Sequence, residues 1–135
     1  MIRYEPAPDI QQQIYSLSDI LGFGHIQKDR VVCVRSYGTS SRRTIARCHA
    51  LSRIWQQALT IKAVYIVEVI SERYDRLSEE EKTKTLIHEL MHIPKSFGGG
   101  FQHHNVVNER NIEKFYRIVM QHEKDKDPQR HSFWN

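Results

Sequence analysis

Apolar positions recur along this chain with two different periods, and the changes of period divide it into helices and strands. From Asp9 to Leu21 the apolar residues have helical spacing, with Asp9 placed to cap the helix, and residues 22–24 end it. Residues 30–35 have the β-branched composition of a strand, and a second strand is expected within residues 43–50. The turn-forming residues between them predict a hairpin.

Residues 41–59 allow two interpretations. Residues 51–59 can form a short helical turn after the second strand, with Ile54, Trp55, Ala58 and Leu59 facing inward. Alternatively, residues 41–59 form one continuous helix, because apolar residues also recur there with a period near 3.6. These are Ile45, Cys48, Leu51, Trp55 and Leu59.

The second half of the chain has clearer signals. Residues 63–70 are rich in β-branched and aromatic residues and predict a central strand. Ser78, with Glu81 three residues later, predicts the start of a helix that ends near Pro94. Residues 98–100 are three glycines, which predict a turn or mobile loop, and residues 106–122 resume a helical pattern.

These elements predict a single α+β domain over residues 1–135. Its core spans about residues 9–122, and residues 123–135 form a charged tail. We expect a small antiparallel or mixed sheet of about three strands, packed on the helix of residues 78–93 and on the helix that follows it. A chain of 135 residues is long enough for a core but leaves no room for a second catalytic domain.

Composition excludes a membrane-spanning protein. Hydrophobic residues make up 39% of the chain and charged residues 27%, and no apolar run approaches the length of about 18 residues that a spanning helix needs. The first residues lack the apolar stretch of a signal peptide. We therefore expect a cytoplasmic protein that has no membrane partner.

Positive charge is concentrated in one segment. The net charge is +4, and six arginines with no acid lie between Arg30 and Arg53. Such a segment can bind phosphate backbones or acidic polypeptide, although a solvated strand face is the favoured interpretation. The two cysteines, Cys33 and Cys48, could pair only across adjacent strands, and in a reducing compartment buried thiols are expected.

The chemistry of the chain is concentrated in residues 88–92, which spell H-E-x-x-H. On a helix, positions four apart lie about 40° from each other, so His88 and His92 can share one metal ion. Glu89 stands beside that ion, where a carboxylate can take a proton from water. Leu86, Leu90 and Ile93 fall on the opposite side and predict a buried face there.

A catalytic zinc site normally has three protein ligands and an open position for water. The candidates for the third ligand are His104, His103 and Glu109, which all follow the glycine turn. A metzincin would need Gly at position 95 and His at position 98, where this chain has Lys95 and Gly98, so that subclass is excluded. His25, His49, His122 and His131 have no spacing that ties them to the metal.

The sequence around these residues resembles a known family over about residues 30–120. The matching stretches are residues 46–56, 65–69, 77–81, 86–94 and 99–105, with the signature His-Glu-Leu-x-His-Ile-Pro followed by Gly-Gly and His. They resemble the small metallopeptidases of archaea and phages. The resemblance implies a minimal zincin fold, similar to that of SprT-like proteases, and it favours His104 as third ligand, since His104-Asn105-Val106 matches the family's arrangement after the glycines.

The expected function is zinc-dependent hydrolysis of peptide bonds in a peptide or protein substrate, with Glu89 as general base. A donor that stabilises the transition state could be Tyr65, Tyr116 or His103. The runner-up is a SprT-like protease acting on nucleic-acid-bound protein, with phosphate contacts from the segment between Arg30 and Arg53. A third hypothesis is a zinc-stabilised binding protein without catalysis, whose metal would have four protein ligands.

Overall fold

The computed structural model of the protein describes residues 1–103 and 105–126 and has an α+β architecture. Four strands form one mixed sheet and five helices accompany them in the described part of the chain. The strands are β1 (Arg3–Pro6), β2 (Val31–Tyr37), β3 (Ala46–Ala50) and β4 (Tyr65–Ile70). The helices are α1 (Pro8–Ile20), α2 (Arg53–Leu59), α3 (Ser71–Tyr74), α4 (Glu79–Met91) and α5 (Glu109–Lys126).

The order of strands in the sheet is β1-β2-β4-β3. β2 is parallel to β4, whereas β1 is antiparallel to β2 and β3 is antiparallel to β4. The prediction that β4 is central is therefore confirmed. The predicted hairpin of β2 and β3 is wrong, because β4 lies between them: the most apolar strand takes the position that buries both of its edges.

The number of strands also differs from the expected three. The additional strand is β1, whose four residues are all exposed, so it carries no alternation of buried and exposed positions. The continuous helix over residues 41–59 is wrong as well. Residues 46–50 instead pair in full register with β4, and this pairing outweighs their helical spacing.

The core lies between one face of the sheet and the layer of α1, α4 and α5. Tyr65, Val67 and Val69 of β4 are completely buried on this face. The alternating residues of the other face are partly open to solvent, including Val32 and Ile66. The sheet therefore has one covered face, and α4, which carries the histidines, is fixed against it. No described helix has the length and apolar character needed to cross a bilayer.

Helix α1 begins one residue earlier than predicted and is not capped by Asp9. Its N-cap is Ala7 and Pro8 fills the first position. The Asp9 carboxylate instead accepts two hydrogen bonds from Arg35, at 2.6 and 2.8 Å, and Asp75 accepts a third at 3.2 Å. The Arg35 guanidinium lowers the pKa of Asp9 and thereby stabilises the contact between α1 and β2.

Helix α2 presents the opposite face to that predicted. Ile54 is 75% exposed, and Trp55 and Leu59 are each 55% exposed, so the residues expected to face inward lie in solvent. The side of α2 that contacts the rest of the fold is held by a polar side chain, since Gln56 donates hydrogen bonds to the carbonyls of Leu51 and Gly98. Hydrogen bonds rather than an apolar stripe decide the orientation of this short helix.

The cysteines are free thiols. Both Cys33 of β2 and Cys48 of β3 are in register with Val67 of β4, which lies between them. Two strand spacings separate their Cα atoms by about 9.6 Å. This exceeds the roughly 7 Å within which a disulfide can form, so the expectation of unpaired thiols is confirmed.

The start of α4 matches the prediction. Ser78 is the N-cap, and its Oγ accepts a hydrogen bond from the backbone N–H of Glu81 at 3.2 Å. Leu86, Leu90 and Ile93 are all buried, which confirms the predicted apolar face. The helix ends at Met91 with His92 as C-cap.

Replacing Ser78 by Ala should lower the free energy of unfolding by about 1 kcal/mol, because the first turn of α4 loses its side-chain acceptor. Ser78→Asp is the matched control, since Asp also caps and favours the positive end of the helix. Urea denaturation followed by circular dichroism measures both variants. Equal stability of Ser78→Ala and the wild type would contradict the importance of this cap.

Candidate functional site

His88 and His92 meet at the carboxyl end of α4. Their Nε2 atoms are 3.1 Å apart, and the ring centroids are 4.9 Å apart with the planes inclined at 46°. One ligand atom from each of His88, Glu89 and His92 falls within 4.8 Å of the others. This is the one such three-residue cluster among the described residues. The spacing in sequence therefore does bring these three side chains together.

The ring of His92 is oriented by the chain that returns from the glycine turn. Its Nδ1 lies 2.9 Å from the carbonyl oxygen of Gln102, and the backbone N–H of Gln102 donates to the carbonyl of His92 at 2.7 Å. A carbonyl can only accept, so Nδ1 carries the proton. In the neutral imidazole, Nε2 then presents its lone pair toward His88, as a metal ligand must.

Glu89 is a buried carboxylate beside the two imidazoles. Only 6% of the residue is exposed, and burial raises the pKa of its carboxyl to about 7. Together with His92, it lines a cavity of about 280 Å³ whose other walls include Cys48, Phe101 and His103. A carboxyl group with a pKa near neutrality can both accept and return a proton.

Tyr65 of β4 holds the glycine turn in place. Its hydroxyl accepts a hydrogen bond from the N–H of Gly99 at 3.0 Å and donates one to the carbonyl of Gly100 at 2.8 Å. Gly99 has φ +103°, a conformation that side chains disfavour. The predicted turn is thus confirmed, and the Tyr65 hydroxyl serves to position it.

The three candidates for a third ligand are placed differently. His103 lines the cavity that contains Glu89 and His92, whereas Glu109 begins α5 and lines a cavity of about 340 Å³ that contains His88. His104 lies outside the described residues. Of the candidate transition-state donors, Tyr116 packs against Lys84, at 4.9 Å from its ring, and lines neither cavity.

The remaining histidines do not join the cluster in the described part of the chain. Nε2 of His25 lies 3.2 Å from the carbonyl oxygen of Ile93, and His49 lies 2.7 Å from a carboxylate oxygen of Glu68. His122 is 4.0 Å from Glu123. His131 lies outside the described residues.

The basic segment divides into two groups. Arg35 binds Asp9 and Asp75, Arg30 donates to the carbonyl of Ala63, and Arg47 lies 4.0 Å from Glu68. Arg42, Arg43 and Arg53 are exposed and make no ion pair with a described residue. Three of the six arginines therefore contact other residues of the folded chain, and three are exposed to solvent.

Four residues at or near the site have roles that the sequence does not predict, although Tyr65 is expected there as a candidate transition-state donor. Tyr65 and Gln56 hold the glycine turn, Gln102 orients His92, and Cys48 lines the cavity of Glu89. Each contact joins residues from separate elements, so no local spacing could have identified it.

The comparison with protein families fits this site. A family model described as "Putative phage metallopeptidase" matches residues 2–132. No curated protein and no solved structure matches the chain. The match covers nearly the whole sequence, and the chain belongs to this family of metallopeptidases.

Replacing Gly99 by Ala should distort the turn. The new Cβ would lie 2.6 Å from both the Leu51 carbonyl oxygen and Nε2 of Gln56, at a φ that disfavours any side chain. We expect a lower melting temperature and weaker binding of a metal ion at the histidine pair, because the displaced turn no longer delivers the Gln102 carbonyl to His92.

Gly100→Ala is the matched control, since a Cβ there meets no atom within 4 Å. Differential scanning fluorimetry with and without zinc, and competition with a chromophoric chelator, measure the two properties. A Gly99→Ala protein with the melting temperature and zinc affinity of the control would show that the turn is not constrained.

Proposed function

We propose that this protein is a zinc-dependent metallopeptidase that hydrolyses peptide bonds in a peptide or protein substrate. The observation that carries the proposal is the pair of Nε2 atoms 3.1 Å apart beside the buried Glu89 carboxyl. Two nitrogens bound tetrahedrally to zinc at about 2.0–2.1 Å lie roughly 3.3 Å from each other. The donor set therefore fits this ion, and imidazole is a ligand that zinc favours.

In this proposal His88, His92 and His104 hold the metal ion. His104 is favoured because it follows the glycines as the family's third histidine does. His103 and Glu109 are the alternatives, and each lines a cavity that reaches one of the two helix histidines. Three ligands would leave one position for water, as hydrolysis requires.

Glu89 is the general base of the proposed reaction. When bound, the metal ion supplies a water of lowered pKa and polarises the scissile carbonyl. The buried carboxylate of Glu89 takes the proton of the attacking water and returns it to the leaving amine. His92, oriented by the Gln102 carbonyl, keeps its lone pair directed at the site. His103 lines the same cavity and is the candidate donor to the developing negative charge.

The substrate is proposed to bind along β3. This strand lies at the edge of the sheet, pairs with β4 on its inner side, and contributes Cys48 to the cavity of Glu89. An extended peptide can add to such an edge through its main chain. We propose on these grounds that the fold is a minimal zincin-like arrangement, with α4 beneath a sheet whose edge strand faces the cleft.

Glu89→Gln should retain zinc and lose peptide hydrolysis by about 10²–10⁴-fold, because the amide cannot accept a proton. His88→Ala should lose the metal itself, and some stability with it. Both variants are tested by two measurements: zinc content by atomic emission, and cleavage of a quenched fluorescent peptide library. Undiminished cleavage by Glu89→Gln would reject the general-base role, and a zinc-loaded wild type that cleaves no peptide would reject the peptidase.

The third ligand is tested by comparing His104→Ala, His103→Ala and Glu109→Ala. Only His104→Ala should weaken zinc binding by more than the roughly 10–100-fold that loss of an outer-shell partner costs. Chelator competition gives the three affinities. If His103→Ala or Glu109→Ala shows the largest loss, that residue replaces His104 in the site.

A further inference from the structure

Helix α2 carries an exposed apolar surface that the proposed mechanism does not use. Ile54, Trp55, Ala58 and Leu59, here called the α2 patch, line an open hollow of about 360 Å³. Trp55 and Leu59 are each 55% exposed, and Ile54 is 75% exposed. Solitary exposed apolar residues are ordinary, but a contiguous group that encloses a hollow is typical of a recognition surface.

The α2 patch is connected to both parts of the proposed active site. Residues 51 and 52 alone separate α2 from β3, the proposed strand for substrate addition. Gln56 of α2 donates to the Gly98 carbonyl, so the helix also supports the turn that leads to His103. A peptide laid along β3 and continuing past Ala50 would therefore approach the helix that carries the patch.

The charged residues near α2 in the sequence are all basic. Residues 30–67 contain seven basic residues and no acidic residue. Arg53 and Lys62, on either side of α2, are exposed and have no ion pair with a described residue. The complementary ligand is an apolar side chain with acidic neighbours.

We propose that the α2 patch recognises the protein substrate, binding an apolar side chain flanked by acidic residues in the segment next to the scissile bond. This inference rests on the proposed peptidase function and deepens it by naming the substrate class. The hollow is lined wholly by apolar side chains, as suits an inserted side chain, whereas a nucleic acid would contact a row of cations. Trp55 is the anchor, since a rigid tryptophan loses little entropy on binding.

Binding is measured without turnover in the Glu89→Gln protein that also carries Trp134→Phe. Trp55 is then the sole tryptophan, because the chain has two. Three synthetic peptides of equal length serve as probes: one with leucines among glutamates, one with leucines among lysines, and one with serines among glutamates. We expect the first to bind about tenfold or more tighter than the others and to shift Trp55 emission to shorter wavelength.

The variants separate apolar from electrostatic recognition. Trp55→Ala, followed by fluorescence polarisation of labelled peptide, should weaken the leucine-glutamate peptide about tenfold or more, and Trp55→Phe should restore part of the affinity. Arg53→Glu with Lys62→Glu should abolish the preference for glutamate over lysine. Tyr4→Ala is the matched control, since Tyr4 is an aromatic residue with 60% exposure on β1, at the opposite edge of the sheet.

The outcomes distinguish this proposal from the peptidase itself. If the leucine-glutamate peptide binds in a Trp55-dependent way but the wild type does not cleave it, the α2 patch is supported as a binding surface and the proposed peptidase function is overturned. If the wild type cleaves that peptide and Trp55→Ala leaves the KM unchanged, the peptidase function is supported and the role of the α2 patch in substrate binding is overturned. Equal binding of all three peptides, or a Trp55 response only to a duplex oligonucleotide or to phosphatidylserine vesicles, would also overturn the surface.

Discussion

The site depends on one buried hydroxyl group. The Tyr65 side chain extends from the central strand, is inaccessible to solvent, and uses its hydroxyl as acceptor from Gly99 and donor to Gly100. It thereby fixes the turn that brings Gln102 back to His92. A buried hydroxyl without a hydrogen-bond partner would destabilise the fold by about 1–3 kcal/mol. The two hydrogen bonds therefore hold the turn in place and also satisfy the buried hydroxyl of Tyr65.

The two buried glutamates, Glu68 and Glu89, have carboxyl pKa values that are shifted in opposite directions. Burial would raise the pKa of the Glu68 carboxyl, but the hydrogen bond with His49 and the charge of Arg47 favour the carboxylate, and the pKa is lowered. For Glu89, burial alone raises the pKa to about 7. Neighbouring side chains thus stabilise the buried carboxylate of Glu68. At Glu89, a cation held by His88 and His92 would stabilise the charged form of the carboxyl.

The exposed arginines and the α2 patch belong to the same part of the chain as β3. Arg35 and Arg30 are tied into the fold, while Arg53 is left to solvent next to Trp55. This segment combines an unpaired sheet edge, an apolar hollow and exposed positive charge, which are the features on which the proposed substrate recognition rests. The family match places this segment in a chain of the family described as "Putative phage metallopeptidase".

The sequence by itself determined the elements whose signals are local. The capping pair of Ser78 and Glu81, the apolar face of α4 and the meeting of His88 with His92 all follow from helical periodicity, which acts within a few residues. The tertiary structure decided what depends on distant partners. It placed β4 between β2 and β3, turned Trp55 outward because Gln56 binds the glycine turn, and put Cys48 in the cavity of Glu89. Strand order is set by pairing across the sheet, and the orientation of α2 is set by hydrogen bonds to a distant turn, so no spacing along the chain gives a signal for either.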